Sequence, residues 1–144
     1  MPSDRKYENL GYWMSCISML SYAFIKKRLQ NTRLRRGQFF FLKILSRNDV
    51  MSQNELSELL SINKATTARA VKQLLLSGCV TKIADTSDRR VNRLSLTNEG
   101  WMICLQLEQI SEELEKHLLD GFSSEEKDRL FEFLKRIAHN ALTA

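Results

Sequence analysis

Apolar residues near the start of the chain recur as Leu10, Trp13, Ile17, Leu20 and Phe24, three or four positions apart. That spacing lines one face of an α-helix and predicts a long amphipathic helix running to about Leu29. A shorter second helix is expected from Phe39, Phe40, Leu42, Ile44 and Leu45, although Arg35-Arg36-Gly37 offers no good cap at its start. Ser52-Gln53-Asn54-Glu55 has the form of a capping box, in which the Ser hydroxyl accepts an orphan backbone N–H and Glu55 reaches back to the cap amide. Leu56, Leu59 and Leu60 supply the buried face of the third helix. Ser61-Ile62-Asn63 then brings turn and cap chemistry, and a fourth helix is expected over residues 64–77, stopped by Ser77-Gly78. In it Ala65, Ala68, Val71, Leu74 and Leu75 are expected to face inward.

Val80-Thr81-Lys82-Ile83-Ala84 and Val91-Asn92-Arg93-Leu94-Ser95-Leu96 alternate in part and flank the polar segment 85–90, which predicts an antiparallel hairpin. A two-stranded ribbon is marginal alone, so it must lean on the helices. Thr97 can cap a fifth helix carrying Ile103, Leu107, Ile110, Leu114 and Leu118, ended by Gly121. Ser123-Ser124-Glu125-Glu126 is a second capping box, followed by Leu130, Leu134, Ile137 and Ala141. The expected order is α-α-α-α-β-β-α-α: a mainly α fold with a small β-wing. The apolar stripes at both ends ask for a covering surface, either within this chain or on a second copy.

Composition narrows the class. With 144 residues, 43% of them apolar, one domain can bury a core of its own. One proline and five glycines leave no linker-like stretch. No apolar run reaches the ~18–20 residues of a membrane span, and Met1-Pro2-Ser3-Asp4-Arg5-Lys6 does not lead into a signal-peptide core. A cytoplasmic location is expected. Cys16, Cys79 and Cys104 are odd in number and widely spaced, which argues against a disulfide framework. With His117 and His139 they form no metal-ligand spacing, so neither a metal nor a cofactor is expected.

Charge changes the picture more. Residues 26–93 hold fifteen Lys and Arg against five Asp and Glu, whereas residues 94–144 hold five against ten. The basic middle is where a polyanion would be met. It coincides with helix, tight turn, helix, an arrangement that places its second helix in the DNA major groove. Asn63, Lys64, Thr66 and Thr67 are the positions expected to be exposed at the start of that helix, able to hydrogen-bond base edges or pack a methyl on thymine. Arg69 and Lys72 suit phosphate contact. The alternative is an ordinary amphipathic helix whose polar face is only solvated.

On these residues the sequence resembles the MarR family of transcriptional regulators. The most specific match is Asp85, Asp88-Arg89-Arg90 and Leu94-Ser95-Leu96-Thr97-Asn98-Glu99-Gly100, similar to the family's D-x-x-D-x-R…LT-x-x-G signature. Gln38-Phe39, Leu56-Ser57-Glu58-Leu59-Leu60 and Arg69 with Val71, Leu74 and Gly78 add weaker matches. Departures are Arg35-Arg36, where the family usually has Thr-Pro, a slightly short connection before them, and Lys82 where Arg is common.

The resemblance implies a winged helix-turn-helix region at 34–97, with 1–33 and 98–144 as dimerisation helices of a single domain. It implies a homodimer on a pseudo-palindromic double-stranded DNA operator, repression by occlusion, and wing residues Asp88, Arg89 and Arg90 at the DNA, Arg90 in the minor groove. It further implies release by a small aromatic or amphipathic acid, with Tyr12, Cys16 and Phe39 as candidate pocket residues. Two alternatives stay open: oxidant sensing through Cys16, and a winged-helix module that binds protein. No nucleophile elbow, glycine-rich phosphate loop or HExxH is present, so no enzymatic activity is expected. Cys79 and Cys104 read as packing residues.

Overall fold

The computed structural model describes residues 9–29, 34–48 and 50–144. The segment Met1 to Lys6 and the short connection before Leu34 lie outside the described residues. The elements are α1 (Leu10–Arg28), α2 (Arg36–Arg47), β1 (Met51–Ser52), α3 (Gln53–Leu60), α4 (Lys64–Leu76), β2 (Val80–Ala84), β3 (Asn92–Leu96), α5 (Asn98–Leu118) and α6 (Ser124–Thr143).

The caps form where the sequence placed them. Ser52 accepts from the Glu55 amide at 3.1 Å while Glu55 accepts from the Ser52 amide at 2.6 Å. Ser123 and Glu126 repeat that exchange at the head of α6, and Thr97 Oγ1 accepts from the Gly100 amide at 3.1 Å at the head of α5. α2, which lacked an evident cap, takes half of one from its own first turn, where Gln38 accepts from the Arg35 amide at 2.8 Å. α3 ends on Ser61 in the left-handed region at φ 51°, the sharp turn that sends the chain into α4.

The expected hairpin gains a third strand. β1 pairs antiparallel with β3, giving the order β1-β3-β2, with Met51 opposite Leu94 and Ser52 opposite Arg93. The ribbon is therefore held on its inner edge by the chain that enters α3, which answers its marginal stability. Leu34, Leu42, Leu45, Leu56, Val71, Leu74 and Leu94 are almost wholly buried and knit α2, α3, α4 and the sheet into one core.

The long helices behave differently. Neither α1 nor α6 contains a buried residue, and Leu10, Trp13, Ile17, Leu20, Phe131, Phe133 and Leu134 are exposed on them. α1 lies along α5, where Arg28 grips Glu113 with two hydrogen bonds of 2.8 and 2.9 Å and stacks 3.5 Å above the Phe24 ring. No helix among the described residues is long and apolar enough to cross a membrane.

Candidate nucleic-acid interface

α4 is positioned by Thr67, Val71 and Leu74, which are buried at helical spacing against the core. The opposite face carries exposed Ala65, Thr66, Arg69, Lys72, Gln73 and Leu76, with Arg69 near its centre. Asn63 caps the helix by accepting from the Thr66 amide at 3.1 Å, leaving its Nδ2 as the half of the amide not needed for the cap. Arg69 Nη2 donates to Thr66 Oγ1 at 3.4 Å, so the two share one exposed patch. Lys64 is exposed at the N-terminal end.

Thr67 is a correction. Expected at the surface, it is fully buried, while Ala65, expected inward, is exposed. The hydroxyl of Thr67 turns back to the Asn63 carbonyl at 3.4 Å, so its polar atom is met inside the helix and its β-branched body packs like an apolar side chain. A Thr seven residues before Leu74 and four before Val71 was the available signal. The same phase adds Gln73 to the exposed face, a residue the sequence reading omitted.

The wing is built on Asp85. Its Oδ1 accepts from the Ser87 and Asp88 amides at 2.7 and 3.2 Å, closing the tip, and its Oδ2 takes a hydrogen bond from Arg93 Nε. The Arg93 guanidinium and the two loop amides hold the Asp85 carboxyl at about 2, well below the usual carboxylate range. The Asp88 amide and carboxylate divide the work. Asp88 Oδ1 accepts from the Arg90 amide at 3.0 Å and from Arg90 Nε at 3.2 Å, while the Arg90 side chain is 91% exposed. Arg89 is exposed beside it. The wing therefore presents two arginines outward, one of them steered by Asp88.

Arg93 turns the other way. It belongs to β3, the middle strand, and besides Asp85 it bonds Glu55 at 3.1 Å. The Ser52 amide, then Arg93, draw the Glu55 carboxyl below its ordinary value.

The loop and α5 meet at Thr97. Its amide donates to the Cys79 carbonyl at 3.0 Å and its hydroxyl to the Gly78 carbonyl at 2.6 Å. Gly100 lies so close to Cys79 that a Cβ there would stand 2.1 Å from the Cys79 carbonyl oxygen. The Leu-Thr-x-x-Gly run is thus a joint binding the turn after α4, the end of β3 and the start of α5.

Behind this interface, α1, α2 and α5 line a half-open cavity of 410 Å³. Tyr22, Ile25, Phe39 and Trp101 give it apolar and aromatic walls, and Lys43 and Arg47 add cations. Phe39 is where the sequence reading put it, its ring 5.9 Å from that of Tyr22. Tyr12 and Cys16 do not line the cavity. α1 faces it with Ser18, Ser21, Tyr22 and Ile25. At about 100° per residue Cys16 and Tyr12 therefore fall on other sides of the helix. Cys104 lines the cavity and contacts the Leu42 carbonyl at 3.6 Å, and burial pushes its thiol up. Among the described residues no cluster of His, Cys, Asp or Glu could hold a metal ion.

Comparison with known proteins agrees with this architecture. Residues 34–91 match the MarR family. The chain is 31% identical over 107 residues to the uncharacterized HTH-type transcriptional regulator YybA of Bacillus subtilis, covering 74% of this chain and 71% of that protein. A MarR transcriptional regulator from Methanosarcina mazei superposes with a TM-score of 0.79 at 30% identity, over 93% of this chain and 96% of that one. A variant of MarR from E. coli, solved in complex with operator DNA, shares the fold at a TM-score of 0.76 and 21% identity, over 95% and 99% of the two chains.

Proposed function

Because the chain belongs to the MarR family of transcriptional regulators, with a DNA-binding winged helix, we propose that it acts as a homodimeric repressor on a pseudo-palindromic operator. The observation that carries this reading is the pairing of one exposed helix face, centred on Arg69, with an outward arginine tip, both fixed to the same core. Asn63, Lys64, Thr66 and Ala65 or Gln73 face base edges in the major groove. Arg69 and Lys72 meet phosphate, and Arg90 enters the adjacent minor groove, whose narrow stretches concentrate negative potential. Dimerisation rests on α1 and α6, where Leu10, Trp13, Ile17, Leu20, Phe131, Phe133 and Leu134 are exposed among the described residues. Two copies related by a two-fold axis would present recognition helices about one DNA turn apart.

Release by a small aromatic or amphipathic acid is supported by the cavity, where rings can take the apolar body and Lys43 or Arg47 the anion. Such a ligand acts only by binding two dimer conformations unequally. Cys16, lying away from the cavity, gives oxidant sensing no structural link to it. The decisive experiment is selection of bound sequences from random duplex DNA, with the solution mass measured by light scattering. A palindromic motif and a dimeric mass are expected; a monomer at micromolar concentration, or selected sequences without two-fold symmetry, overturns the reading.

A further inference from the structure

We infer that Arg93 is a positioning residue that ties the head of α3 to the wing, so that the placement of Arg90 at DNA depends on an ion network inside the protein. The inference rests on the DNA-binding reading of the wing and adds a residue that acts on it from within. Arg93 stands in the central strand, opposite Ser52 of β1 on one side and Ile83 of β2 on the other. Its guanidinium faces two carboxylates in different elements, Glu55 in α3 and Asp85 at the base of the wing.

Both carboxylates have a second task. The same Glu55 oxygen that accepts from Arg93 at 3.1 Å accepts from the Ser52 amide at 2.6 Å and so completes the α3 cap. Asp85 gives one oxygen to Arg93 and the other to the Ser87 and Asp88 amides. Asp88 in turn steers Arg90. A chain of hydrogen bonds thus runs from the helix-turn-helix to the wing arginine, and Arg93 joins its two halves. Its partners also change what it can do at DNA. With Glu55 and Asp85 on its guanidinium and only 34% of its side chain exposed, Arg93 is not a free cation for phosphate, although it belongs to the basic segment. The planar fork of arginine, donating from Nε and Nη1 in different directions, is what the bridge needs, and the single ammonium of lysine does not reproduce it.

The test uses Arg93→Gln, Arg93→Lys and Arg90→Ala, separately and combined. Operator affinity is measured on duplexes with A·T-rich or G·C-rich sequence at the wing positions. Arg93→Gln should weaken binding about tenfold and erase the preference for A·T flanks, as Arg90→Ala does. Arg93→Lys should fail to rescue either. In the Arg90→Ala background, Arg93→Gln should cost little more and leave the salt slope unchanged. A further tenfold loss there, with the slope falling by about one, would mean that Arg93 neutralises a phosphate itself and would overturn the inference. Should Arg93→Gln not fold, Asp85→Asn breaks the same bridge from the other end and should show the same non-additivity with Arg90→Ala. Amide exchange in the free protein separates this inference from the functional reading. Arg93→Gln should speed exchange at Ser87 and Asp88 about tenfold whatever the protein binds. Unchanged protection at those two amides overturns it even if operator binding is confirmed.

Discussion

Gly100→Ala pits two effects of opposite sign against each other. Gly100 is in the first turn of α5, and by helix propensity alone an alanine there would stabilise by up to about 1 kcal/mol. The added Cβ, however, would stand 2.1 Å from the Cys79 carbonyl oxygen, 3.0 Å from its carbon and 3.2 Å from Leu96 Cδ2. Carbon and carbonyl oxygen keep about 3.3 Å apart, so the head of α5 must retreat by roughly 1 Å. That retreat acts directly on the two Thr97 hydrogen bonds to the Cys79 and Gly78 carbonyls. At about 1 kcal/mol net for each bond, and about 1–3 kcal/mol for forcing a methyl into packed backbone, the loss exceeds the propensity gain. A net destabilisation of about 2–4 kcal/mol is expected. Urea unfolding at fixed protein concentration reads it as a midpoint lowered by roughly 1–2 M with an unchanged m value. A variant as stable as the parent, or more stable, would mean that propensity decides and that the joint is not packed as described.

Asp88→Ala should weaken operator binding about fivefold, although it removes a negative charge near DNA, because Arg90 loses both bonds that orient it; tighter binding in a gel-shift titration would leave only the charge effect. Thr66→Ala should relax preference at one operator position by about 1–3 kcal/mol while Arg69→Ala weakens all duplexes alike, and an unchanged selected motif for Thr66→Ala would show the helix to be oriented otherwise. Asp85 is held at about 2, below the ordinary value of about 3.9 for an unfolded chain. Its contribution is therefore complete above that ordinary value and is lost as pH falls toward 2. Asp85→Asn should flatten the acid limb of the stability curve between about pH 4 and pH 2, and an identical limb in both proteins would remove Asp85 from the account.

The capping boxes, the fourth-helix stop at Gly78 and the hairpin were legible because each depends on neighbours within a few residues. β1 was not, since two residues carry no periodicity and Met51-Ser52 becomes a strand only by pairing with Leu94 and Arg93. Residue type alone gives the wrong phase for α4 at Thr67 and Ala65, because the Asn63 carbonyl lets a threonine go inside. The wing motif was visible as Asp85 and Asp88-Arg89-Arg90, but the sequence counted Arg93 as one more basic residue. Its acidic partner Glu55 is 38 positions away and reaches it only through the sheet. Phe39 was found at the cavity, yet Lys43, Trp101 and Cys104 come from two helices whose approach no local pattern encodes.

The joint at Thr97 makes α5 a lever. The helix has 21 residues, about 30 Å at 1.5 Å per residue. Its head is locked through Thr97 to the turn that follows α4, and its next turns, through Trp101, Cys104 and Leu107, form a wall of the cavity. With the helix continuous between wall and joint, a displacement of about 3 Å at its far end is a rotation of roughly 6° at the joint. Under the proposed function, a molecule held in the cavity presses on α5 about one turn from the joint that holds the segment after α4, and needs no contact with the DNA-facing side chains to reach it.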